Sequence, residues 1–333
     1  MRGPILGILP AILLLAGCRE TLPQPPERVG VTFSLSGTGT RTTGTADEGT
    51  VQDWALMLFK DGKLADYGTS GPGTTIRCSV EAGSYLAVAI ANPPSSFQPA
   101  VMTTRQAFLE TESRLEDNTP SRLVMVGELP LDILPGEDEP REIPVQRLVC
   151  KSGVRKISIA FTDPAAAARP FVLKGIFLTN CYGKTRLGSD WGASAISAQA
   201  SAWYNRMGFQ SDPKVNGLLS DRNIGAAITA DTPYRQEHAF YFYPNPTETD
   251  SRDGDWSVRH TRLVLETEIG GRTYYYPVTL PVSRRNRTYL IEEAVIRKLG
   301  SLDPEGNEPG AIDITFSTGT GDWNPVLDVQ ENS

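Results

Sequence analysis

Few side chains in this 333-residue chain have the type and spacing to carry chemistry. His238 and His260 are its two histidines, and neither stands at the spacing of a metal site or a nucleophile–base–acid triad. The carboxylates Glu292 and Glu293 are adjacent, so on a strand they leave opposite faces and cannot act on one bond. The glycine-rich run Gly37 to Gly44 matches neither a dinucleotide nor a phosphate-loop fingerprint. The acidic run Asp250 to Asp255 lacks the alternating ligands and closing glutamate of a calcium loop and reads as a solvated hairpin tip. The expectation is a protein that is not an enzyme and needs no cofactor or metal. Two residues are instead placed for covalent processing: Cys18, behind a short apolar run, and Arg41, in the middle of a small, polar loop.

Arg2 gives the N-terminus a positive charge, and the apolar run Pro4 to Leu15 is too short to cross a bilayer. It ends in Leu15-Ala16-Gly17-Cys18, which resembles a lipoprotein signal in which the cysteine is lipidated and becomes the new N-terminus. Residues 1–18 are therefore expected to be removed as a signal, and 19–27, with three prolines, to form an extended tether. No later run is long and apolar enough to span, so the chain is expected to be anchored at the outer membrane through lipid on Cys18. The net charge of −7 is spread without a basic block, which argues against a nucleic-acid partner. With Cys18 lipidated, Cys78, Cys150 and Cys181 remain; their spacing fits no metal or redox motif, and buried free thiols are expected, although an oxidising envelope permits one disulfide.

Arg41 takes its meaning from the stretch before it. Val29, Val31, Phe33 and Leu35 alternate with Gly30, Thr32 and Ser34, the period of a half-buried strand. The loop from Ser36 to Gly44 has the composition of an exposed nicking site. A trypsin-like cut after Arg41 would free that strand, whereas a cut at Arg28 would leave it attached. The first strand (28–37) thus reads as a placeholder whose groove another copy can fill. A substitute must keep the period of two, and Trp323, Pro325, Leu327 and Val329 (within 322–331) do so. Pro325 must fall where no N–H is needed.

The elements between are short strands with turn signals. Val51 to Phe59, Thr74 to Val80, Ser84 to Ala91, Arg122 to Val126 and Glu142 to Cys150 read as strands, and Lys60-Asp61-Gly62-Lys63 as a turn. Thr104 to Glu116 carries a helical stripe. Near Val149 the pattern begins again: Val154 to Phe161, Phe171 to Leu178, His238 to Tyr243, Leu263 to Ile269 and Thr273 to Leu280, the last two joined across Gly270-Gly271 as a hairpin. Tyr289 to Arg297 suits helix or strand. Ile312, Ile314 and Phe316 share one face of a late strand. Gly188 to Thr232 has little regular pattern, and its Trp191, Trp203 and Tyr204 read as core or contact residues or as a sugar-binding platform. Many short strands and few helices predict an all-β chain: a first β-sandwich over 28–148 with one short helix, and a second over 149–333.

In combination these landmarks resemble the FimA/Mfa-type fimbrillins, the type V pilins of Bacteroidia. The lipobox and the arginine-bearing loop are joined by Gln146-Arg147-Leu148-Val149-Cys150-Lys151, with a cysteine in place of the family's small residue. Phe177-Leu178-Thr179-Asn180, Tyr241-Phe242-Tyr243-Pro244-Asn245, Arg285-Asn286-Arg287-Thr288-Tyr289, Gly300-Ser301 with Asp303-Pro304, and Trp323 follow in the family's order. The resemblance implies two transthyretin-like β-sandwich domains and makes Tyr289 to Arg297 a strand. It also implies cell-surface fimbriae built by an arginine-specific protease and donor-strand exchange with other fimbrial subunits, and a role in adhesion to an unidentified receptor. The alternative expectation is a non-polymerising surface lipoprotein that binds glycan or host protein through Gly188 to Thr232.

Overall fold

Alternation in sequence becomes alternation of burial. The computed structural model describes residues 28–36, 48–71, 73, 75–136, 139–188, 199–206, 212–247, 250, 257–306 and 308–319. The first half contains β1 (Arg28–Ser36), β2 (Trp54–Lys60), β3 (Lys63–Ser70), β4 (Ile76–Glu81), β5 (Gly83–Ala91), α1 (Arg105–Glu110), β6 (Glu112–Arg114), β7 (Met125–Ile133), β8 (Arg141–Pro144) and β9 (Gln146–Arg147). The second half opens with β10 (Cys150–Val154), β11 (Ile157–Ile159), α2 (Pro164–Ala167), β12 (Phe171–Thr179), β13 (Cys181–Tyr182), β14 (Lys184–Arg186), β15 (Trp203–Tyr204) and α3 (Asn216–Leu219). It closes with β16 (Ser220–Asp221), β17 (Ala226–Ala227), β18 (His238–Phe242), β19 (Arg262–Ile269), β20 (Arg272–Thr279), β21 (Thr288–Ile296) and β22 (Ile312–Gly319).

In the first half a three-stranded sheet, β4-β1-β8, lies on a five-stranded one, β3-β2-β5-β7-β9. Val29, Val31, Phe33, Ile76, Cys78, Val80, Ile143 and Val145 from one side meet Trp54, Leu56, Leu58, Ala87, Ala89 and Met125 from the other, making one apolar core. Strand β2 is apolar on both faces because its second face is covered too: Ala55, Met57 and Phe59 pack with Phe108, Leu115 and the second half. Asp61-Gly62 and Gly270-Gly271, all at positive φ, close the β2–β3 and β19–β20 hairpins with two-residue turns.

The second half repeats the first. β10 and β11 run along the same edge of β21 in parallel with one register, Lys151 opposite Thr288 and Ile157 opposite Ala294, so they are one strand interrupted at Arg155-Lys156. That strand lies between β18, antiparallel, and β21, parallel, as β1 lies between β4, antiparallel, and β8, parallel. The facing sheet β16-β12-β19-β20 corresponds to β3-β2-β5-β7. Strand β22 is an addition: it pairs with the other edge of β21, a position with no counterpart beside β8 among the described residues.

One expected element is corrected. Helix α1 stops at Glu110, where Thr111 is extended (φ −62°, ψ 132°), and Glu112–Arg114 becomes strand β6 paired with β14 of the second half. The apolar stripe through Leu115 is real, but Ser113 is buried against the second half, and that partner overrides local helix preference. Short helices α2 and α3 occur in the second half as well.

Candidate functional site: a strand-sized groove and the junction beside it

Strand β1 is held by neighbours on both sides. Arg28 to Phe33 pair antiparallel with Glu81 to Ile76 of β4, and Phe33 to Ser36 pair parallel with Arg141 to Pro144 of β8. Phe33 is where the two ladders overlap, and its side chain is 0% exposed; Val29 and Val31 are buried as well, and Leu35 is half-buried at the rim. Burial of the three inward side chains contributes roughly 5–9 kcal/mol at ~1.5–3 kcal/mol each, an upper bound because an unfolded chain already hides some of that surface. On the outer face Gly30 lies under Arg77: a Cβ there would stand 2.7 Å from the guanidinium, at the end of a flexible side chain. Opposite Val31 sits Cys78, buried in the groove wall, where desolvation first and Asp66 second push its thiol up to about 12.

The outer edge of β8 differs from the edge that faces β1. Val145 N–H donates to Ser36 O (3.2 Å), so by the period of two Ile143 faces β1, while Glu142 and Pro144 face away. Pro140 and Pro144 have no N–H, so every second residue of that outer edge lacks a donor. Strand β21, the counterpart in the second half, has no proline and accepts β22. The free edge of β8 is thus a poorer ladder partner than the edge that β1 occupies between β4 and β8.

Beside the Ser36 end of β1 the two halves are locked together, with residues of the motifs named above on one side of most of the bonds. Arg147 Nε donates to Glu48 O (3.2 Å), and its Nη1 to Asn286 Oδ1 (3.3 Å). Lys151 Nζ lies 2.8 Å from Glu48 Oε1, which also accepts from the Tyr241 hydroxyl. The Tyr243 hydroxyl, from the second half, bonds Arg114 O (2.9 Å), Ser113 Oγ (2.9 Å) and Asn118 Nδ2 (3.0 Å) in the first. Leu115 N donates to Gly183 O and Leu187 N to Thr111 O, extending the β6–β14 ladder. Arg285 reaches Thr185 Oγ1 (3.0 Å) and Leu187 O (3.3 Å), and burial pulls its guanidinium down to about 10. Asn286, at φ +54°, turns the chain so that its N–H meets Val149 O (3.0 Å). Burial and the Glu48 charge both push the Tyr241 hydroxyl up, so it stays a neutral donor.

The remaining expected sites fall as follows. Cys18, Arg41, Trp323, Pro325, Leu327 and Val329 lie outside the described residues, as do 189–198, with Trp191, and 251–255 of the acidic run. Asp250 is spent on Arg262 and on His260 N–H. Trp203 is buried with its ring 5.1 Å from that of Tyr182, and the hydroxyl of the half-buried Tyr204 is bonded to Glu116. Cys78, Cys150 and Cys181 are free and buried. No group of three or more metal-ligating side chains occurs among the described residues.

Two features carry no sequence signal. Glu48 is an isolated carboxylate whose partners stand about a hundred or more positions away. Asp221, His238 and Tyr234 form a relay, with Nδ1 at 3.3 Å from Asp221 Oδ2 and Nε2 at 2.6 Å from the Tyr234 hydroxyl. A phenol replaces the nucleophile of a hydrolytic triad here, and burial and Asp221 push its pKa up, which suits a structural brace between β16 and β18. Burial holds His238 below its ordinary value of 6.5, only partly offset by Asp221. On acidification the unfolded chain therefore takes up this proton before the folded one, and stability falls as pH drops below about 6.5. Urea midpoints at pH 7.5 and 5.5 should show that loss, and His238→Gln should flatten it.

No family model matches this chain, and no curated relative does. Solved structures do. A cell adhesion candidate from Bacteroides eggerthii aligns at a TM-score of 0.65 with 16% identity, over 89% of this chain and 96% of the other. The fimbrilin FimA of Porphyromonas gingivalis aligns at 0.61 with 13% identity, over 87% and 96%. The tip fimbrial protein Mfa3 of the same organism, C-terminally truncated, aligns at 0.54 with 14% identity, over 88% and 99%. The chain has the all-β fimbrillin fold.

Proposed function

We propose that this chain is a structural subunit of a cell-surface fimbria. It reaches the outer membrane as a lipoprotein anchored through Cys18, loses β1 after an arginine-specific cut at Arg41, and takes a replacement strand, residues 322–331, from another subunit. Its role is assembly and adhesion, with no catalytic step. The observation that carries the proposal is that β1 is central in its sheet and buried, yet joined to the rest only through 37–47. Its loss would leave two unpaired strand edges and an apolar slot, a deficit comparable to the whole stability of a domain. The shared fold with fimbrilin FimA and tip protein Mfa3 supports the same role.

Limited trypsin digestion of the lipid-free chain tests it. One early cut at Arg41 should be followed by loss of the β1 peptide, labelling of Cys78 by a maleimide, and a ladder of oligomers. Arg41→Ala should give none of these. A chain cut at Arg41 that stays monomeric with Cys78 protected would overturn the proposal.

A further inference from the structure

Ser36 and Glu48, the described residues on either side of 37–47, both bond one short segment, Val145 to Lys151. On the upstream side Ser36 O accepts from Val145 N–H. On the downstream side Glu48 O accepts from Arg147, and the Glu48 carboxylate, in a residue 6% exposed, holds Lys151 and Tyr241. The chain after Glu48 is then fixed by Asn92, whose Nδ2 donates to Thr50 O (2.8 Å) and whose Oδ1 accepts from Gln52 N (2.8 Å). None of these downstream bonds involves β1.

The wall strand β8 is less secure. Among the described residues its ladder partner is β1 alone, so departure of β1 removes all of its ladder bonds. The packing of Ile143 and Val145 and the anchorage of the same segment at Arg147 do not depend on those ladder bonds. Glu48 is also an expensive way to gain stability. Its Oε2 has no hydrogen-bond partner among the described residues, and a buried ion pair is commonly matched or bettered by apolar side chains of similar volume. Its placement at the end of the slot, rather than its contribution to stability, accounts for it.

We infer that Glu48 is a positioning residue for strand exchange: by fastening the start of the trimmed chain to Arg147, Lys151 and Tyr241, it keeps the junction end of the slot in shape after β1 leaves. This deepens the function proposed above and rests on release of β1.

The test uses the full chain cut at Arg41 and freed of β1, with a synthetic peptide of residues 28–36 as probe. Glu48→Ala should weaken peptide binding at least tenfold and leave Cys78 labelling fast in the presence of peptide. Glu48→Leu combined with Lys151→Met, which removes both members of the Glu48–Lys151 ion pair together, should do the same if the single variant fails to fold. Tyr243→Phe is the control, since the hydroxyl it removes joins the same two halves through Ser113, Arg114 and Asn118 and bonds no residue of Val145–Lys151; its affinity should stay within twofold of the parent. Equal weakening by Tyr243→Phe, or affinity within twofold for the Glu48 variants, would overturn the inference. Mass spectrometry of the cut chain separates the two failures: β1 retained after the cut refutes the proposed function and this inference together, whereas β1 lost with unchanged peptide affinity refutes the inference alone.

Discussion

Phe33→Ala is expected to lower the stability of the uncut protein by about 3–5 kcal/mol, the range for truncating a fully buried aromatic ring. The site cannot collapse to soften that cost. Phe33 is flanked on one side by Ile76 and on the other by Arg141, and the facing sheet presents Leu56, Leu58 and Met125. Leu35→Ala, at the half-buried rim, should cost about a third as much, and Thr32→Ala, on the outer face, less than about 0.5 kcal/mol. Urea denaturation of the three variants gives the order directly. Equal losses for Phe33→Ala and Leu35→Ala would mean that the strand is not seated as described. The same order should reappear when peptides carrying these changes compete for the trimmed chain, because the slot reads the same side chains in either setting.

A comparable loss is expected from a single added methyl group in the groove wall. Strand β8 crosses β7 so closely that a Cβ on Gly127 would stand 2.0 Å from Pro144 O and 3.1 Å from the Val145 side chain. A backbone oxygen cannot swing aside, so Gly127→Ala must push β8 away from β7 and, with it, loosen Ile143 and Val145 from the core. Overpacked cores lose ~1–3 kcal/mol when side chains can adjust; here backbone meets backbone, and about 3 kcal/mol or more is expected. The displaced wall should also bare Cys78 without any cut, so maleimide labelling of intact Gly127→Ala should be at least tenfold faster than in the parent. Gly62→Ala makes the contrasting case: the position has a φ of +74° with nothing within 4 Å of an added Cβ, so only backbone strain of ~1 kcal/mol is expected.

Much of this was legible in the residues, for physical reasons that also mark where legibility ends. A half-buried strand must alternate, and Val29 to Leu35 does; a two-residue hairpin needs positive φ, and Asp61-Gly62 and Gly270-Gly271 supply it. The segment from Tyr289 was ambiguous by pattern because its strand has both faces in contact: Leu290 and Ile291 are both buried, which erases the period. The stretch from Thr104 to Glu116 misled for the opposite reason. Its period favours helix throughout, and only contact with β14 and Tyr243 decides that the last turn unwinds. Glu48, Arg147 and Asn286 could not be grouped by any local rule, since the bonds that join them cross more than ninety positions. The Asp221–His238–Tyr234 relay is similar, since Asp221 and His238 are joined only by the fold.

The repeat of topology across the two halves sets the valency of the proposed subunit. The counterpart of β1 in the second half, the interrupted strand β10–β11, is continuous with the chain at both ends and no single cut can shed it. Each molecule therefore has one berth to vacate, and the proline-bearing flank of β8 supplies no second one. Under the proposed exchange, one berth and one tail per molecule make growth head-to-tail and unbranched, and a molecule with its berth still occupied ends the thread at that point.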